Sequence, residues 1–267
     1  MRNYPMKKME RKYIPLARFF EACTQSTFTL TYDEIQNIMG HELPNAAYLN
    51  VSWWKKTKAP STHFFAWINY DYYVTNVNLG HSVTYSCTEQ DAISDAKPQN
   101  TYITRPIEAN DARAYINLQE ELFTQSSFCY YHPQERNLTV QQVRKTIADW
   151  RKDKTSTVLL CIYNGHFAGY AALLGNTASK TKHLAHVRIA IHKDFQQKGL
   201  ATVLLKEAEK WARTNTISRL EASVTTTNTA AQHLFDKLNY VKEGTRTQAI
   251  KIDDQFVDEI LYSKILK

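Results

Sequence analysis

The stretch that most restricts the fold is Ala185 to Ala201, Ala-His-Val-Arg-Ile-Ala-Ile-His-Lys-Asp-Phe-Gln-Gln-Lys-Gly-Leu-Ala, with the segment that follows it. Val187, Ile189 and Ile191 alternate as in a strand and a charged turn follows. After Gly199 the apolar residues Leu200, Val203, Leu204, Ala208 and Trp211 recur at helical spacing. A strand that runs through a glycine loop into a helix directs several backbone N–H groups and the positive end of the helix dipole at one spot. Such a spot suits phosphate. The loop has neither the three set glycines of the dinucleotide fingerprint nor the Gly-Lys-Ser/Thr ending of the phosphate loop; it offers Gln196-x-x-Gly199-x-Ala201. Taken alone, that pattern also fits a plain helix start.

Two later blocks change its weight. One is Val224-Thr-Thr-Thr-Asn228-Thr-Ala-Ala231-Gln-His-Leu234-Phe235-Asp-Lys-Leu-Asn-Tyr240; the other is Glu243-Gly244-x-Arg246 leading to Phe256-Val257-Asp258-Glu259. In this order the three blocks resemble the GNAT superfamily of N-acyltransferases. Its acetyl-CoA signature is (Gln/Arg)-x-x-Gly-x-(Gly/Ala), and its second block reads Val-x-x-x-Asn-x-x-Ala-x-x-Leu-Tyr-x-x-x-Gly-Phe. The resemblance covers roughly Thr101 to Lys267. It implies a mixed α/β fold, a central mostly antiparallel sheet flanked by helices, with acetyl-CoA as co-substrate.

Site roles follow from the resemblance. Ile189, Ala190 and Ile191 would offer backbone groups to the pantetheine arm and one N–H near the thioester carbonyl. Gln196, Gln197, Lys198, Gly199, Leu200, Ala201 and Thr202 would wrap the pyrophosphate, Gly199 being where a Cβ would obstruct the approach. Asn228 would hydrogen-bond the cofactor arm or a water, although an asparagine there also suits a helix N-cap; Ala231 and Phe235 complete that block. Many members place a tyrosine where this chain has Phe235, to protonate the departing thiolate. Here a water or another donor takes that role, or none is required, and Tyr240 is a poor substitute because its position faces the core. For the base, His186 on the central strand has a suitable unperturbed pKa, and Glu121 lies near the segment that covers the acceptor site in the family. Glu221 and a water chain are further candidates, and a packed or surface histidine is the blander reading of His186. No metal ligand set is expected.

Other elements read from pattern. Thr139-x-x-Gln142 is a capping signal, Asn110 or Asp111 can cap the helix before it, Asn164-Gly165 marks a hairpin, and Asp253-Asp254 a final turn. The segment Ser126 to His132, with Phe128, Tyr130 and Tyr131, has no clear period; the resemblance puts these aromatics over the acceptor.

The first third is a separate problem, read as a small α+β domain over residues 1–98 ahead of the domain at 101–267. A basic lead (Arg2, Lys7, Lys8, Arg11, Lys12) precedes a helix from Ile14 to Ala22 and a short strand from Thr27 to Leu30. Thr31-Tyr-Asp-Glu34 has capping-box spacing, with Gly40 at the stop position. Pro44 to Asn50 and Ser61 to Asn69 add helices, and Tyr72 to Leu79 with Ser82 to Ser86 reads as a hairpin around Gly80-His81. This order is that of a winged helix-turn-helix. DNA is therefore one partner to weigh, through Lys55, Lys56 and Lys58, but the would-be reading helix around Ala46 to Asn50 carries no lysine or arginine. Packing or homodimerisation is the blander role. Trp53, Trp54, Phe64, Phe65, Trp67, Tyr70, Tyr72 and Tyr73 read as core rather than as base-stacking surface. Thr88 to Asn100 reads as a linker.

Composition enters at three points. A net charge of +7 favours anionic partners such as CoA or nucleic acid without choosing between them. The 4 cysteines are scattered singly, which excludes a Cys-x-x-Cys metal or redox motif. No apolar run approaches a bilayer span and the charged lead has no hydrophobic centre, so the expectation is a cytoplasmic protein without membrane contact. Two functions follow: an N-acetyltransferase acting on a primary amine of a small molecule or protein N-terminus, by direct transfer in a ternary complex, or a CoA-sensing regulatory protein with a DNA- or protein-binding first domain.

Overall fold

A computed structural model describes residues 9–57, 61–87 and 100–266. The expected basic lead at Arg2, Lys7 and Lys8, Lys58, and the linker over 88–99 lie outside those residues. The chain divides into two compact units, Met1–Asp111 with Ile162–Phe167, and Ala112–Cys161 with Ala168–Lys267.

In the first unit α1 (Ile14–Ala22) leads to β1 (Thr27–Thr31) and α2 (Tyr32–Met39). The start of α2 is set by the expected capping box: Thr31 Oγ1 accepts from the Glu34 amide at 3.2 Å, and the Glu34 carboxylate accepts from the Thr31 amide at 2.7 Å. Gly40, at φ +73°, ends the helix in the left-handed conformation glycine supplies without strain. Short helices follow, α3 (Asn45–Leu49), α4 (Val51–Trp54) and α5 (Phe65–Ile68), then β2 (Tyr73–Asn78) and β3 (Ser82–Ser86). The helix expected over Pro44 to Asn50 is α3, and a further short helix, α4, follows once Asn50 turns extended at φ −136°. The three strands form an antiparallel sheet in the order β1-β3-β2.

Aromatic rings fill this unit. Phe19, Phe20, Phe28, Trp54, Trp67 and Tyr85 are buried, with Phe20 and Tyr85 edge-on at 4.8 Å and Trp67 and Tyr85 at 5.7 Å. The polar tips are satisfied where they meet the backbone: Trp54 Nε1 donates to the Ala47 carbonyl at 2.9 Å and Tyr72 donates to the Gln25 carbonyl at 2.5 Å. β4 (Tyr102–Pro106) clusters here as well. Its buried Arg105 donates to the carbonyls of Asn37 and Ile38 and forms a two-pronged ion pair with Asp111, at 2.6 and 2.8 Å. Asp111 also accepts from the Glu108 amide at 2.7 Å; its carboxylate therefore answers a guanidinium and a 3-10 turn over Ala109–Asp111.

In the second unit come α6 (Ala112–Gln125), α7 (Val140–Asp153), most of β5 (Thr157–Tyr163) and of β6 (His166–Gly175), β7 (Leu184–Ile191) and α8 (Leu200–Thr214). After these come β8 (Arg219–Thr225), α9 (Thr229–Lys237), β9 (Val241–Ile252) and β10 (Gln255–Ile265). The Thr139–Gln142 capping box that opens α7 is present. Asp253 and Asp254, both at positive φ, turn β9 into β10 as expected. The strands of this unit follow the order β5-β6-β7-β8-β10-β9. Its pairings β6–β7, β8–β10 and β10–β9 are antiparallel, and β7–β8 is parallel.

That parallel pairing is short. It runs only from Leu184↔Arg219 to His186↔Glu221, whereas β7 continues to Ile191 and β8 to Thr225. The two strands part over their C-terminal halves, leaving the peptide groups that would have joined them unpaired across the gap.

Candidate active site

The parted strands open a cavity of about 670 Å³ within the second unit. Ile189 and Ala190 line it from β7, Ser223, Val224 and Thr225 from β8, and Asn228, Ala231 and Phe235 from the start and body of α9. One wall is aromatic, with Phe128, Tyr130 and Tyr131 from the aperiodic segment and Trp150 from α7. Thr225 Oγ1 is buried in this lining without a hydrogen-bond partner, which leaves a hydroxyl available to a ligand.

Beyond β7 the chain turns sharply towards α8. Gln196 Nε2 donates to the Ile191 carbonyl at 3.1 Å, and Lys198 Nζ donates to the Asp194 carbonyl at 3.2 Å, so two of the expected cofactor side chains brace the loop itself. Gln197 and Gly199 both adopt positive φ, +59° and +76°. A Cβ built on Gly199 meets nothing within 4 Å. Glycine is required there by its backbone angle, and the space in front of it stands open to a ligand. The first intrahelical bond of α8 runs from the Val203 amide to the Gly199 carbonyl at 3.2 Å, so the amides of Leu200, Ala201 and Thr202 precede it at the positive end of a fifteen-residue helix. Ile191 and Gln196 to Thr202 are absent from the cavity lining; they run from the last residue of β7 into the start of α8.

Asn228 takes the N-cap role: its Oδ1 accepts from the Ala231 amide at 3.1 Å, leaving the Nδ2 donors of a cavity-lining side chain. Phe235 is buried, stacked on Tyr262 at 5.4 Å and edge-on to Tyr240 at 5.0 Å. Tyr240 is buried outside the lining, and burial pushes its phenol above the ordinary tyrosine range. It cannot stand in for the missing proton donor.

The two residues expected as bases lie elsewhere. His186 is 53% exposed on its side chain, pairs with Glu221 at 3.6 Å where the parallel ladder ends, and does not line the cavity. Glu121 is 59% exposed and lies 3.7 Å from His192 Nε2, over a shallow depression apart from the cavity. Next to it Gln125 contacts His192 at 2.5 Å and accepts from the Lys193 amide at 3.1 Å. Glu121 thus belongs to a contact that fastens the end of α6 to the turn after β7. Alternation along β7 could not reveal this, because the strand's pairing partner on one side ends at Glu221.

The carboxylate that does line the cavity is Glu259, 1% exposed on β10. It accepts a hydrogen bond from the Tyr130 hydroxyl and forms an ion pair with Arg246. Its signal in the sequence was an acidic residue set among the apolar positions Val257, Ile260 and Leu261 of a strand. Arg188 lies 4.7 Å from the Tyr130 ring and Arg136 lies 4.9 Å from the Tyr131 ring, both in the lining. Deeper in, burial raises the phenols of Tyr115 and Tyr170, and the positive charges of Arg136 and Arg188 oppose that rise in both.

Among the described residues no cluster of histidine, cysteine, aspartate and glutamate could hold a metal ion, and no helix is long and apolar enough to cross a membrane.

With this geometry in hand, residues 117–240 match the model of the acetyltransferase (GNAT) family, and residues 13–89 match that of a domain of unknown function, DUF7662. A search of curated proteins finds no match to the chain. Among solved structures the chain is similar to a GNAT-family acetyltransferase from Streptococcus pneumoniae, at 26% identity and a TM-score of 0.60 over 62% of this chain and 99% of that one. It is similar in fold to yncA of Salmonella typhimurium, whose structure contains acetyl-CoA, at 17% identity and a TM-score of 0.56 over 62% of this chain and 95% of that one. A ribosomal-protein-alanine N-acetyltransferase from Brucella melitensis shares the fold at 18% identity and a TM-score of 0.55, over 61% of this chain and 99% of that one.

Proposed function

Because residues 117–240 constitute an acetyltransferase domain of the GNAT family, we propose that the chain moves an acetyl group from acetyl-CoA to a primary amine, directly and within a ternary complex. The observation that carries this reading is the parting of β7 from β8, which opens a cavity between strands whose backbone groups have lost their partners.

The residues present suit acetyl-CoA. The amides of Leu200, Ala201 and Thr202 and the open face of Gly199 would receive the pyrophosphate. Ile189, Ala190 and Ile191 would offer peptide groups to the pantetheine arm, with Asn228 Nδ2 and the unpaired Thr225 hydroxyl across the gap. When bound, the co-substrate supplies an activated acyl carbonyl. A β7 amide facing the gap would stabilise the negative charge that grows on its oxygen, at no cost of reorganisation.

The cavity would hold the amine in line with that carbonyl. The new bond joins the amine nitrogen to the acetyl carbon, the carbon–sulfur bond breaks, and the sulfur leaves with its electron pair. Glu259 is well sited to attract the ammonium and take its proton, directly or through Tyr130, in the role first given to His186 and Glu121. With Phe235 in place of a hydroxyl donor, the thiolate is protonated by water; a thiol of ordinary pKa near 8.5 makes this a small barrier.

Calorimetry with acetyl-CoA, followed by thiol release against a panel of primary amines, tests the reading. One bound acetyl-CoA and release with at least one amine class are expected. Tight binding with no release across the panel would favour a CoA sensor, and no binding would end both.

A further inference from the structure

We propose that the acceptor is an α-amino acid with an apolar or aromatic side chain, its carboxylate received by Arg136 and Arg188 and its ammonium by Glu259. The inference rests on the transfer reading above and names the acceptor class it leaves open.

Two positive charges in the cavity wall have no internal counter-charge. Arg136 and Arg188 both line the cavity, and among the described residues neither has an ion-paired carboxylate. Each guanidinium is instead laid over a tyrosine ring, Arg188 on Tyr130 and Arg136 on Tyr131. A cation held by a ring face keeps its planar fork of N–H donors free for an oxyanion, which is how guanidinium recognises a carboxylate. Both arginines also act on the same two buried phenols, Tyr115 and Tyr170, so their charges converge on one part of the wall.

The lining carboxylates do not balance them. Asp253 is exposed at the tip of the β9–β10 turn, and Glu259 contacts Arg246 and Tyr130 rather than either of the two arginines. A polyamine would therefore bring its second and third charges against two unneutralised guanidiniums.

Spacing comes from Tyr130. Its hydroxyl bonds Glu259 while its ring carries Arg188, so an acidic and a basic receptor stand at two sides of a single phenol. An ammonium and a carboxylate on one carbon match receptors that close. Phe128, Tyr131 and Trp150 then offer an apolar wall to the side chain.

The test uses the full chain saturated with acetyl-CoA and compares phenylalanine with phenylalaninamide, phenethylamine and spermidine. The amide and the amine keep the ring and nitrogen but lack the carboxylate. Phenylalanine should show at least a tenfold higher kcat/KM than any of the three. Arg188→Gln and Arg136→Gln should each lower kcat/KM for phenylalanine tenfold or more, and at least fivefold more than they lower it for phenylalaninamide; equal losses on both substrates overturn the carboxylate role. Equal or better use of phenylalaninamide, phenethylamine or spermidine overturns the proposal. The dipeptide amide Phe-Asp-NH2 offers instead a side-chain carboxylate one residue beyond a peptide N-terminus; its preference over phenylalanine overturns the free amino acid as source.

A second arm separates this proposal from the transfer reading. Quenching of Trp150 fluorescence by phenylalanine is followed with CoA present, in wild type and in both arginine variants, each compared with its Trp150→Phe counterpart. Saturable binding lost in both variants supports the acceptor class even if no acetyl group is transferred. Absent binding, or binding indifferent to both arginines, removes it.

Discussion

The two units use aromatic side chains in opposite ways. In the first, Phe20, Phe28, Trp67 and Tyr85 are buried against one another, and the rings close the space between a small sheet and short helices. In the second, Phe128, Tyr130 and Tyr131 are largely exposed, face a cavity, and two of them carry guanidiniums. The same residue types fill a core where rings meet rings and wall a cavity where they meet space. What decides between these uses is the backbone: three short strands pair along their length in one unit, whereas β7 and β8 separate in the other.

The largest expected effect sharpens this contrast. Trp67→Ala should destabilise the first unit by about 3–5 kcal/mol, the usual consequence of emptying a large aromatic site. Phe128→Ala should change stability by only about 0.5 kcal/mol. Chemical denaturation of both variants checks the pair, and similar losses would erase the distinction. Next in size, Gly199→Val meets a left-handed backbone costing about 1–2 kcal/mol and places a side chain before the α8 amides. It should weaken acetyl-CoA binding at least tenfold by calorimetry while circular dichroism stays native; undiminished affinity would detach the loop from the site.

Smaller effects probe whether the frames of the two units obey the same rules. Thr31→Ala and Thr139→Ala each remove one capping box and should each cost about 1 kcal/mol, read as a shift in the denaturation midpoint. The smallest is a pH effect confined to the first unit. Burial lowers the pKa of His63, which stacks on Trp53 at 3.9 Å and contacts the Trp53 carbonyl at 2.8 Å. Below its ordinary value of about 6.5 the unfolded chain binds a proton that the folded unit resists, so stability should decline as pH falls through that region. His63→Phe should flatten the dependence in melts taken from pH 7 to 5.

Much of the frame was legible because local chemistry dictates it. Both capping boxes, the Gly40 stop, the Asp253-Asp254 turn and the β7-loop-α8 order follow from residues within a few positions of one another. Of the expected cofactor residues, Ile189, Ala190, Asn228, Ala231 and Phe235 meet in the cavity. That His186 and Glu121 stand outside the cavity was not legible. Choosing His186 or Glu121 required knowing where β7 loses its neighbour and where α6 ends, and both depend on contacts distant in sequence. Glu259 reaches the cavity only because β10 pairs with β8 in the register Glu259↔Thr225, which local patterns do not encode.

One measurement bears most directly on the whole account: a crystal structure of the protein with acetyl-CoA. The account predicts the acetyl group between Ile189–Ala190 and Thr225, in the gap where β7 and β8 part, with the pyrophosphate on the amides of Leu200 to Thr202. Acetyl-CoA bound away from that gap, with β7 and β8 empty between them, would contradict it.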